Sequence, residues 1–162
     1  MYKNAKDFLE KNPSPVVLQE PHPLLREISS EIKDLDGMKA LIPVMVRIMK
    51  EEGGIGLAAP QIGFNQRLFI IHIPETENRS ETKIVAINPV VLEKKGSICL
   101  EEGCLSVDGK LVPVERSAQI LVEYENESKQ KVQTVLSGLA AVCFQHELDH
   151  LNGVLISDYI KV

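Results

Sequence analysis

The sequence predicts an α+β fold, with mostly antiparallel strands packed around one late, central helix. Three observations lead there. Short β-like runs are punctuated by Gly, Pro and Asn rather than by helical stretches. A strong helical segment runs from about Ser137 to Leu151 and ends at Asn152-Gly153, a good C-cap pair. The helical patterns are widely spaced, which argues against a regular βαβ repeat.

Taken in order, Asn12 to Pro15 is turn-like and Val16 to Leu18 starts a short extended segment. Asp36 to Glu52 has helical spacing, with Leu41, Met45, Ile48 and Met49 on one face. Pro43 lacks a backbone donor and belongs in a first turn, so the firm part of this helix starts close to it. Gly53, Gly54 and Gly56 then break the chain. Strand-like runs follow at Arg67 to Ile73, Ile84 to Ile87, Leu111 to Val114 and Gln119 to Tyr124.

The 162 residues suffice for one domain with a sizeable core, so residues 1–162 are expected to form one catalytic domain. With 44% hydrophobic and 25% charged residues, the composition is that of an ordinary globular protein. A net charge of −5 without a Lys/Arg run leaves no electrostatic footprint for DNA or RNA. Met1 to Pro15 carries Asp7 and Glu10 and no long apolar stretch, unlike a secretory signal or a transit peptide. The longest apolar run, Leu139 to Phe144, is far below the ~20 residues that span a bilayer. Three cysteines, an odd number, argue for reduced thiols rather than a disulfide framework. The expectation is a cytoplasmic protein without membrane or DNA contacts.

Gln145-His146-Glu147-Leu148-Asp149-His150 places H-E-x-x-H inside the late helix. Residues four apart stack on one helix face, so two imidazoles can grip one ion. Glu147 follows the first histidine and can reach water on that ion without being a ligand. The bland alternative is two histidines that are merely exposed or buried with partners. At average composition the pattern arises by chance in well under ~1% of chains of this length. A mononuclear metallohydrolase with Glu147 as acid/base is therefore the expectation.

The third ligand decides the class. A metzincin would carry histidine where Ile156 stands, although Gly153 matches its glycine. Beyond His150 the only acidic side chain is Asp158, so the third ligand must come from upstream. His22, His72 and the cysteines are the candidates. Cys143 lies seven residues from His150, about 10 Å along a helix, too far for ligands at ~2.0–2.3 Å. It fits better as a small buried hydrophobe beside the site. Cys99 sits in an apolar context that favours burial, whereas Cys104 follows Gly103 and suits a ligand better.

Gly54-Ile55-Gly56-Leu57-Ala58-Ala59 satisfies a dinucleotide fingerprint in form only, because a helix precedes it and Pro60 blocks the helix that must follow. The glycines instead allow a substrate backbone to lie close. Gln61, an uncharged donor beyond Pro60, could face a developing oxyanion, although a glutamine is more often on the surface.

Three segments together resemble the signature motifs of peptide deformylases, in the same order: Gly54 to Gln61, Glu102-Gly103-Cys104-Leu105-Ser106, and Gln145 to His150. The similarity runs from about Val16 to Tyr159. It implies a peptide deformylase-like fold and removal of the formyl group from the N-terminal formylmethionine of newly made polypeptides. It implies a metal held by Cys104, His146 and His150, one divalent ion per chain, typically Fe(II) and replaced by Zn, Ni or Co in preparations. A water in the fourth position, made acidic by the metal, would attack the formyl carbon. The N–H of Leu105 and the side chain of Gln61 would stabilise the oxyanion, and Glu147 would pass the proton to the leaving amine. The methionine pocket would include Ile55, Leu100, Leu139, Val142 and Cys143, positions that ordinary core packing could also explain. Gly56 and Gly103 would lie against the peptide backbone, Gly56 pairing with it as with an added strand.

Three departures from the family pattern stand out. Asp108 occupies a position that is usually proline, Pro43 interrupts a helix, and the chain stops at Val162 without the C-terminal helix that some members use at the ribosome. Ribosome contact is thereby weakened as an expectation, while catalysis is not. The competing readings are a non-catalytic, deformylase-like binder of N-terminal peptides, and a metalloprotease. The intact ligand set argues against the first and the missing downstream ligand against the second.

Overall fold

The computed structural model describes residues 2–162. Among them are three α-helices, α1 (Ala5–Lys11), α2 (Leu41–Glu51) and α3 (Gly138–Leu151). Seven strands accompany them: β1 (Gly56–Ala58), β2 (Leu68–Ile73), β3 (Thr82–Lys95), β4 (Ile98–Cys104), β5 (Val107–Arg116), β6 (Gln119–Glu125) and β7 (Lys131–Ser137). All the strand pairings are antiparallel, in a five-stranded sheet ordered β1-β2-β3-β6-β7 and a separate β4-β5 hairpin. The architecture is α+β, as the sequence predicts.

Strand β2 explains how the layers assemble. Five of its six residues are buried, because both faces of the sheet are covered. Leu68 and Ile70 point into one cluster with Phe8 of α1 and Leu41, Met45, Ile48 and Met49 of α2. Phe69, Ile71 and Ile73 point into another, with Ala141, Cys143, Phe144 and Leu151 of α3. The period-2 alternation of a strand thus feeds two cores.

Helix α2 is amphipathic and buries Leu41, Ile42, Met45, Ile48 and Met49. Pro43 is its third residue, within the first turn, where the missing N–H would have had no helical partner anyway. Helix α3 buries side chains on several faces, since it lies on β1, β2, β6 and β7 and carries the site on another side. It stops at Asn152 and Gly153. Gly153 has φ +73°, and an added Cβ would meet the carbonyl of Arg26 at 2.5 Å, so only glycine fits this turn.

Several elements differ from the sequence expectation. The run Ile84 to Ile87 is one part of the fourteen-residue β3, which continues through a register shift near Asn88 and Pro89. Leu111 to Val114 is the inner part of β5. Val16 to Leu18 is outside the named strands, though Leu18 N–H donates to the Gln61 carbonyl at 2.7 Å. The sequence pattern does not predict the short α1, β1, β4 and β7. No helix of the described residues is long and apolar enough to cross a membrane.

Candidate metal centre

Helix α3 and strand β4 build the site between them. His146 and His150, one helical turn apart, aim their Nε2 atoms at each other across 3.3 Å. Cys104, at the end of β4, brings Sγ to 3.4 Å from His150 Nε2. The three donor atoms all lie within 4.8 Å of one another. Bonds of about 2.0–2.3 Å in a tetrahedral arrangement put neighbouring donors roughly 3.3–3.6 Å apart, so this trio fits one divalent ion and leaves a fourth position. Thiolate with imidazole suits iron and zinc alike.

The other upstream candidates lie elsewhere. His22 is exposed, its Nδ1 accepting from Leu24 N–H, and His72 pairs with Glu81 at 2.8 Å. Asp158 pairs with Arg26. Cys99 is exposed, against the expectation of burial. It lies five residues from Cys104, so the alternation of β4 turns the two thiols to opposite sides. Cys143 is buried beside the site, where burial first and the charge of Glu147 next push its thiol up.

His146 is oriented from behind. Its Nδ1 lies 2.8 Å from Glu102 Oε2, and Glu102 takes two hydrogen bonds from Arg116, at 2.6 and 2.9 Å. A carboxylate on the far ring nitrogen fixes the tautomer and raises the basicity of a ligand histidine. Burial alone would raise the Glu102 carboxyl, but the hydrogen bonds from His146 and Arg116 outweigh it and hold it below its ordinary value. Burial opposes charge on His146, yet its hydrogen bonds to Cys104 and Glu102 outweigh that and raise it to about 10. Burial, then the charge of His146, moves His150 well below its ordinary value.

Glu147 is 3% exposed and its Oε2 is a buried oxygen without a hydrogen-bond partner. Burial, the leading cause, pushes its carboxyl up to about 7. Such a group is poised to exchange a proton near neutral pH.

A cavity of about 370 Å³ opens beside these residues. Gln61, Leu105, Cys104, His146 and Glu147 line it, as do Ile55, Gly56, Leu100, Gly103, Leu139, Val142 and Cys143. Of the ligand, catalytic and pocket residues that the deformylase resemblance implies, His150 alone lies outside that lining, buried beneath it at 2% exposure. Gln61 is also buried, unlike a typical surface glutamine. Its Oε1 accepts from Ala58 N–H at 2.9 Å, and its Nε2 donates to Ser106 Oγ at 3.0 Å and faces Cys104 Sγ at 3.8 Å. The Leu105 carbonyl is held by Gln19 Nε2 at 2.8 Å.

The model of the polypeptide deformylase family matches residues 15–162. The chain belongs to the peptide deformylase family. A peptide deformylase of Pseudoalteromonas translucida (strain TAC 125) is 39% identical over 146 residues, covering 90% of this chain and 86% of that protein. One from Rhizobium meliloti (strain 1021) is 41% identical over 143 residues, covering 87% and 82%. The crystal structure of the Thermotoga maritima peptide deformylase matches with a TM-score of 0.82 at 38% identity, over 91% of this chain and 98% of that one. A class I type b peptide deformylase from Acinetobacter baumannii, solved with Met-Ala-Ser bound, matches with a TM-score of 0.82 at 30% identity, over 91% and 99%. As a member of the deformylase family, the chain is a hydrolase of a metal-dependent class.

The residues that hold His146 and Gln61 in place are not marked by any sequence motif of their own. Glu102 and Ser106 both lie inside a signature segment without a role of their own, and Arg116 lies outside all three segments. One signal was available for Arg116: it continues the inward-facing series Val112 and Val114 of β5, where a charged side chain must have a buried partner.

Proposed function

We propose that this chain is a peptide deformylase, which removes the formyl group from the N-terminal formylmethionine of newly made polypeptides and releases formate. The observation that carries the reading is the unpaired buried carboxylate oxygen of Glu147 beside three converging metal donors. Residues 1–162 would act as one catalytic domain, working in the cytoplasm where new chains emerge.

Cys104, His146 and His150 would hold one ion, Fe(II) in the cell, with Zn, Ni or Co able to replace it in preparations. When bound, the ion supplies a positive charge that makes nearby water acidic and polarises the formyl carbonyl. The chain's own side chains then divide the work. Glu147 Oε2 takes the proton of the attacking water and delivers it to the leaving amine nitrogen. Leu105 N–H and Gln61 Nε2 meet the charge that develops on the formyl oxygen. Gln61 spends one amide hydrogen on Ser106 Oγ and keeps the other on the Cys104 side of the cavity.

The substrate methionine would enter among Ile55, Leu100, Leu139, Val142 and Cys143, an apolar lining that suits an unbranched thioether. Strand β1 is the edge of its sheet, so Gly56 offers the peptide backbone a strand to extend, with Gly103 on the other wall.

The test is formate release from formyl-Met-Ala-Ser by Fe(II)-loaded protein prepared without oxygen. Turnover by the wild type and its collapse in Glu147→Ala are expected. No formate from the loaded wild type would sink the reading.

A further inference from the structure

The chain of contacts behind His146 does not end at Arg116. Its Nη1 donates to Asp149 Oδ2 at 2.9 Å, and the same oxygen accepts a hydrogen bond from Tyr159 Oη at 2.8 Å. The Tyr159 ring also lies over the guanidinium, 5.2 Å from ring centre to Cζ. Arg116 is nearly inaccessible, at 4% side-chain exposure, so its position is set by these neighbours alone. Burial first, then the Asp149 hydrogen bond, pushes the Tyr159 hydroxyl up to about 12, which keeps it a donor at neutral pH.

The short 3-10 turn Ile156–Tyr159 that carries this tyrosine is itself firmly tied. Asp158 Oδ2 accepts from Leu155 N–H at 3.0 Å and from Arg26 at 2.6 Å. Ser157 Oγ donates to Glu20 Oε1 at 2.7 Å, and Ile156 is buried with Val107, Val112 and Val114 of β5. Tyr159 therefore approaches Asp149 and Arg116 from an anchored element.

We propose that Tyr159 is a positioning residue of the metal centre, acting through Asp149, Arg116 and Glu102 to fix the orientation of His146. Its hydroxyl shares the Asp149 carboxylate with Arg116. With the hydroxyl gone, Asp149 draws more strongly on Arg116 Nη1, and the guanidinium gives up part of its hold on Glu102. Glu102, gripped less firmly by the guanidinium, then orients His146 Nδ1 less well, and its Nε2 loses a defined aim. The inference rests on the metal-centre reading above and adds a residue that the ligand set does not contain.

Tyr159→Phe keeps the ring over Arg116 and removes the hydroxyl alone. The experiment loads wild type and variant with Co(II), records the visible spectrum, and measures affinity by competition with a chelator. Groups in contact with a ligand typically alter metal affinity by 10–100-fold, so a residue further out is expected to weaken Co(II) binding about 3- to 10-fold. The ligand-field bands are expected to shift as well, while the melting temperature of the metal-free variant stays close to wild type. An unchanged spectrum and affinity in Tyr159→Phe would overturn the inference, whatever happens to stability. Wild-type protein that takes up no Co(II), with no sulfur-to-cobalt charge-transfer band, would remove the metal-centre reading and this inference with it. A wild type that binds normally beside an unaltered variant removes the Tyr159 inference alone.

Discussion

Gly56 and Glu147 are in direct contact: a Cβ built on Gly56 would overlap the Glu147 carboxylate, meeting its Oε1 and, at 2.9 Å, its Cδ. The backbone of β1 thus forms one wall of the pocket that holds the proposed base. Gly56 does not need glycine for its backbone angles, since its φ is not positive; it needs glycine for space.

Gly56→Ala is accordingly expected to displace the carboxylate of Glu147. Formate release should fall by at least about 100-fold, within the range a positioned acid/base contributes. Stability should fall by only about 1–3 kcal/mol, the usual cost of an inserted methyl. Denaturant melts and a formate assay on the same preparation check both parts, and full activity in the variant would contradict the contact.

Glu147 also makes the stability of the metal-free protein depend on pH. The unfolded carboxyl titrates near 4.5, whereas burial, aided by the charges of Glu102 and Asp149 and opposed by those of His146 and Arg116, puts the folded one at about 7. Between these values the unfolded chain has released a proton that the folded chain keeps, so stability declines as pH rises through the window. Glu147→Gln removes this titration. Its melting temperature minus that of wild type should be near zero at the low end, grow towards the upper end, and then level off. A difference flat across the window would refute the assignment.

Cys104 supplies the sulfur donor of the proposed site, and no other thiol is near enough to replace it. Cys104→Ala should lose bound metal on dialysis against a chelator, whereas Cys99→Ala, altered on the opposite side of β4, should keep the wild-type amount. Metal analysis of the two variants side by side settles which cysteine matters. Equal retention in both would require another ligand.

Glu102 and Arg116 are 7% and 4% exposed in their side chains, so breaking the pair strands a charge away from water. Arg116→Met should cost about 3–5 kcal/mol. The double variant Arg116→Met with Glu102→Leu should cost clearly less than the two single changes added together, because neither charge is left alone. Chemical denaturation of the four proteins measures the coupling, and simple additivity would show that the pair is not the unit described.

Much of this was legible in the sequence because the signals are local. The H-E-x-x-H spacing, its helix and the Asn152-Gly153 stop lie within one continuous segment, so three residues that act together are also neighbours in the chain. Pro43 and the glycines after α2 were legible for the same reason, being rules about single backbone positions. Strands β1, β4 and β7 were not. β1 has three residues, too few for any period, and β4 carries Glu101, Glu102 and Gly103 in its middle, where a strand pattern would show apolar alternation. What makes them strands is pairing with partners distant in sequence.

The sequence by itself determined the α+β class, the helix with two histidines and a glutamate, and the need for a further ligand upstream. It also favoured Cys104 over Cys99 as that ligand; only the tertiary structure decided how β4 brings Cys104 to the helix, that Arg116 and Glu102 stand behind His146, and that Tyr159 reaches the same cluster from the last turn of the described chain. The physical reason is range. Helical periodicity and capping act over a few residues, whereas the convergence of β4, β5, α3 and the Ile156–Tyr159 turn on one point is fixed by how separate apolar faces pack.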